Sequence, residues 1–85
     1  MKLYLISQTE NGGYDTFDSA VVAAPDENAA KEMHPDGKLL KTSLDWKAET
    51  ATWCHSKRKV KVEYLGIAVK GTKRGDIICR SFNAG

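Results

Sequence analysis

Two apolar runs of strand character meet across an Asn11-Gly12-Gly13 turn, and that juxtaposition constrains the chain more than any other feature. Glycine supplies positive φ without steric cost, and Asn-Gly between apolar runs is a strong hairpin signal. Before the turn, residues 2–8 (Lys-Leu-Tyr-Leu-Ile-Ser-Gln) predict strand one. After it, residues 14–23 predict strand two, antiparallel to strand one and central in the sheet. Here Phe17, Ser19, Val21 and Ala23 alternate with Thr16, Asp18, Ala20 and Val22. In strand one Leu3 and Leu5 share one face while Tyr4 and Ile6 share the other. With both faces apolar, one is expected to meet a helix and the other a loop or a second chain.

A helix start follows at Pro25-Asp26-Glu27. Pro25 suits the first helical position and the two carboxylates suit the positive end of the helix dipole. Ala24 is a poor cap, so the start is expected to shift by a residue or two. Ala29, Ala30 and Met33 form a narrow apolar stripe, and His34-Pro35 stops the helix because a residue before proline leaves the α region. Residues 38–56 show no clear period. Leu39, Leu40, Leu44, Trp46 and Trp53 nonetheless make them too apolar for a linker, so the segment is expected to fold over the sheet or its edge.

Residues 60–69 predict strand three. Val60, Val62 and Tyr64 share one parity, Leu65, Ile67 and Val69 the other, and the switch beside Gly66 predicts a bulge. Residues 70–75 (Lys-Gly-Thr-Lys-Arg-Gly) read as a hairpin loop into strand four, residues 76–82, whose pattern continues to Phe82. The order β-β-α-loop-β-β predicts an α+β fold: an antiparallel sheet of about four strands with one short helix packed on one face. The expectation is a single domain over residues 1–85.

A chain of 85 residues buries only about 60% of its unfolded surface, which argues against a deep enzyme cleft and leaves room for a homodimer that extends the core. No apolar run is long enough to cross a bilayer, and the one after Lys2 is too short for a secretory signal. The expected location is therefore the cytoplasm, with Cys54 and Cys79 as free thiols.

Charge is unevenly placed. Residues 1–42 carry four basic and seven acidic side chains, net −3, and residues 43–85 carry nine basic and four acidic, net +5. The dense run is Lys57-Arg58-Lys59 with Lys61 beyond it. One reading is a contact surface for a partner. The plainer reading is a solvated loop entering an edge strand, where lysines discourage aggregation.

Several constellations invite chemistry. Asp15 and Asp18, with Ser19, suggest an acid pair, but residues three apart on a strand point to opposite faces. Cys54-His55 with Cys79 and His34 lacks the spacing of common zinc motifs. A Cys-His nucleophile pair lacks a visible oxyanion donor set. Residues 70–75 resemble a phosphate loop in composition only, since a strand follows where a helix is needed. No catalytic residue, metal or cofactor is expected. A nucleotide- or nucleic-acid-binding domain is the alternative to a protein-binding one. In it Lys57, Arg58, Lys59 and Lys61, with Lys73 and Arg74 across the hairpin, track a backbone while Trp46 or Trp53 stacks bases. The acidic first half weighs against that alternative and disfavours free nucleic acid as the partner.

Tyr14-Asp15-Thr16-Phe17-Asp18-Ser19 with Val21-Val22, and the closing Ser81-Phe82-Asn83-Ala84-Gly85, resemble segments of small proteins encoded by phages and prophages. The helix ending at His34-Pro35 and the Tyr64-Leu65-Gly66-Ile67-Ala68 segment fit the same resemblance. It implies an accessory protein that binds and modulates a host protein or ribonucleoprotein, possible targets including defence systems such as CRISPR complexes. On that reading Tyr14, Asp15 and Asp18 join the basic residues and the two tryptophans as contact candidates.

Overall fold

In the computed structural model, residues 1–12, 16–68, 71–73 and 76–83 are described, the last five of these by their backbone only. The strands are β1 (Lys2–Ser7), β2 (Thr16–Ala24), β3 (Lys61–Ile67) and β4 (Ile77–Asn83). They form one antiparallel sheet in the order β3-β1-β2-β4. The β1–β2 hairpin is the centre of the sheet, and the later strands add to its two flanks.

That order corrects one expectation. Residues 70–75 do not close a hairpin, because β3 and β4 lie at opposite edges with β1 and β2 between them. Turn composition is a local property, whereas strand pairing is decided by which apolar edges the core leaves open. At the end of the connection, the Asp76 carboxylate accepts from the Lys73 N–H at 2.9 Å and the Lys73 carbonyl accepts from the Asp76 N–H at 3.0 Å.

Side chains tie the end of β1 to β2 and to the segment before β3. Gln8, buried on β1's flank, accepts from the Asn11 N–H and donates to the Asn11 and Phe17 carbonyls. The Asn11 amide in turn donates to the carbonyls of Thr50 and Trp53, 2.8 and 3.3 Å away. Tyr14 and Asp15 lie outside the described residues.

The expected single helix is two. Asp26 caps α1 (Glu27–Lys31) by accepting from the Ala29 N–H, so Pro25 precedes the cap instead of opening the first turn. The second helix, α2 (Ser43–Ala48), lies in the segment that showed no period. A capping box opens it: Thr42 Oγ1 accepts from the Asp45 N–H while the Asp45 carboxylate accepts from the Thr42 N–H. A one-turn 3-10 helix, Lys57–Lys59, leads into β3.

Tyr4, Ile6, Ala20 and Val22 project from one sheet face into a core completed by Ala29, Ala30, Met33, Leu40, Trp46, Trp53 and Cys54. Both tryptophans are interior, as the packing argument expected, with Trp53 fully buried. The predicted bulge is present: Leu3 opposes Gly66 and Tyr4 opposes Tyr64, so Leu65 is the extra residue. Gly66 adopts φ +147°, a conformation that side chains rarely take. Among the described residues no helix is long and apolar enough to cross a membrane.

Candidate binding cleft

A single face of α2 builds one wall of an open cleft. Ser43, Trp46, Lys47 and Thr50 recur at helical spacing, so they stack on one side of the helix and the turn after it. His55, Ser56 and Lys57 form the opposite wall, which runs directly into the 3-10 helix. The cavity between them measures about 450 Å³. Trp46 presents its remaining exposed edge, 8% of its surface, as an apolar floor.

The walls are held by named contacts. One Glu10 carboxylate oxygen lies 2.6 Å from both the backbone nitrogen and the ring Nδ1 of His55. The His55 backbone N–H holds the Glu10 carboxyl below the usual glutamate range, with smaller help from the imidazole and from the charge of Lys59. Lys57 Nζ stands 3.8 Å from Glu32 at the end of α1. Among the described residues, the Lys47 ammonium on the other wall has no such carboxylate. The cleft thus offers an aromatic floor, three hydroxyls and two ammonium groups on facing walls.

A separate cluster is one that sequence reasoning missed. His34 is 1% exposed and sits between aromatic rings, edge-on to Phe17 at 5.4 Å and to Trp53 at 6.1 Å. Its Nδ1 lies 3.0 Å from the Asp36 backbone nitrogen and its Nε2 lies 2.8 Å from Thr52 Oγ1. Glu49 Oε2 is 3.5 Å from Nε2, and Asp36 Oδ1 is 2.9 Å from Nδ1. Burial lowers the His34 pKa, opposed by the Asp36 and Glu49 carboxylates. His34, Asp36 and Glu49 have metal-ligand character and lie close together. Their negative charge is met by Lys38, whose ammonium is 2.9 Å from Glu49 and 3.5 Å from Asp36. The His34–Asp36 pair was visible as neighbours in sequence, but nothing there pointed to Glu49 or Thr52.

The remaining candidates disperse. Arg58 and Lys59 are exposed on the 3-10 helix beside the cleft, while Lys61 belongs to β3. Lys73 follows the far end of β3, a strand of seven residues or roughly 20 Å, so it does not extend the basic surface. Arg74 lies outside the described residues, as does Asp15 of the proposed acid pair. Asp18 is half-buried on β2, where its carbonyl accepts from the Gln8 N–H. Trp53 is fully enclosed and has no surface for stacking.

Cys54 and His55 do not cooperate: the thiol donates to the Ser56 carbonyl and the imidazole meets Glu10. Burial pushes the Cys54 thiol up to about 11, which keeps it protonated and poorly nucleophilic at neutral pH. The Cys79 side chain lies outside the described residues. In comparisons with known proteins, no family model matches this sequence, and no curated protein or solved structure matches it either.

Proposed function

We propose that the chain is a non-enzymatic binding protein that takes an acidic segment of a host protein, alone or within a ribonucleoprotein, into the cleft between α2 and the 3-10 helix. The observation that supports this is the cleft itself: an apolar Trp46 floor between the Lys47 and Lys57 ammoniums, continuous with exposed Arg58 and Lys59. Such a surface receives a carboxylate beside an apolar or aromatic side chain, with charge orienting the approach and burial of apolar area supplying affinity. Under the phage resemblance, the most concrete form of this activity is anti-CRISPR-like inhibition of a host defence complex.

The test is affinity capture from host lysate with the wild-type chain and with a Lys47→Glu/Lys57→Glu variant. Lys47 is exposed and the Lys57–Glu32 pair is a half-exposed ion pair of the kind worth no more than about 1 kcal/mol, so the variant should stay folded with a slightly lower melting temperature yet lose the captured protein. Retention of the same protein by the variant rejects the cleft. Tight binding of unrelated oligonucleotides that the same change abolishes, with a salt slope of about one log unit per phosphate contact, replaces the protein partner with nucleic acid.

A further inference from the structure

The outer rim of β3 is a pairing edge whose charges are complementary to those of the same strand run in reverse. β3 is the edge of the sheet beyond β1. Tyr64 and Leu65 on it are 54% and 48% exposed, although both are large and apolar. The Met1 carbonyl accepts from the Ala68 N–H, so odd-numbered residues of β1 turn their backbone groups towards β3. Leu5 opposes Glu63 and Ser7 opposes Lys61, which directs the backbone of those two inward. Val62 and Tyr64 alternate with them and present their N–H and C=O groups outward.

A lone edge strand with exposed apolar side chains is a template for another strand. We propose that the strand it takes is β3 of a second copy, joined antiparallel about a two-fold axis through Val62 to give a continuous eight-stranded sheet. The charge pattern selects this register. Directly opposed residues must share a face, and therefore a parity, so the axis passes through a residue pair. Centring on Lys61 or on Glu63 sets like charges against each other. Centring on Tyr64 runs the pairing through the Leu65–Gly66 bulge. Centring on Val62 sets Lys61 against the partner's Glu63 and, by symmetry, Glu63 against the partner's Lys61. It also lays Tyr64 across from the partner's Val60. A lysine alone on this edge would repel a second copy; with Glu63 two residues on, the same lysine selects it.

Analytical ultracentrifugation tests this with four samples at low ionic strength. Wild type is expected at twice the 9.4 kDa chain mass. Lys61→Glu and Glu63→Lys each replace two attractions with two repulsions and should weaken dimerisation roughly tenfold or more. An equimolar mixture of those two variants should recover the dimer as a heterodimer, because every opposed pair is again of opposite sign. A chain carrying both changes should dimerise like wild type. Circular dichroism of each variant checks that the fold is kept. A wild-type monomer at every concentration overturns the proposal. So does a dimer indifferent to the single changes, or a mixture that stays monomeric.

Discussion

At the residue scale His34 is the group whose state matters most to the folded chain. It is buried among aromatic rings and held by Asp36, Thr52 and Glu49. Burial depresses its pKa below the unfolded value, so the folded state binds fewer protons than the unfolded one. Its contribution is therefore fully present above about pH 6.5 and is lost as pH falls below that value towards the folded pKa. The melting temperature of wild type is expected to drop between neutral pH and pH ~5, a window above the carboxylate titrations. His34→Gln should flatten that drop while costing about 1–3 kcal/mol at neutral pH, since it disturbs a buried hydrogen-bonded group. An unchanged pH slope in the variant would show that His34 is not its source. Little of this cluster was legible beforehand. Asn11 shows why: its amide reaches carbonyls 39 and 42 residues away, and no local pattern announces a partner at that separation.

At the element scale the local signals served well where the physics was local. The parity switch in residues 60–69 located the β3 bulge, since an extra residue must reverse which face the side chains take. Gly66→Ala should cost about 1–3 kcal/mol, read as a lower denaturation midpoint. Among the described residues no atom lies within 4 Å of an added Cβ, so that cost comes from φ +147° and not from a clash. A neutral result would mean that the bulge relaxes without the glycine. The second helix went unseen because six residues carry too little period to stand out. Its capping pair, Thr42 and Asp45, was in plain view. The 70–75 segment carried the composition of a turn, and that composition says nothing about which strands it joins.

At the scale of the whole molecule, the strand order reflects how the core is filled. The radius of gyration is 12.0 Å, close to the roughly 12 Å of a compact chain this long. A shortest dimension of 17 Å leaves room for the sheet and one layer on it. That layer comes from α1 and from the segment that includes Leu40, Trp46 and Trp53, placed between β2 and β3 in sequence. By the time the chain re-enters the sheet it has crossed above β1, so β3 joins β1's free flank and the edge beside β2 is left for β4. Strand content, the antiparallel class and the bulge were readable from the chain. The crossing was not, because it depends on the volume of two tryptophans whose burial has no periodic signature.

The same order has a consequence in time. Only the central pair is contiguous in sequence, so it is the pair that can form before long loops close. The outer strands must then add to a hairpin already in place, and β4, the last to be synthesised, completes the sheet at the edge beside β2. During synthesis the β1–β2 hairpin therefore waits with both flanks open, and it depends on the emerging 40–60 region to cover its apolar face. Stopped-flow measurements should see this asymmetry. Truncating Val22 in the centre to Ala should mainly slow folding, whereas truncating Ile77 at the edge should mainly speed unfolding. The reverse assignment would mean that the chain assembles from its edges inward.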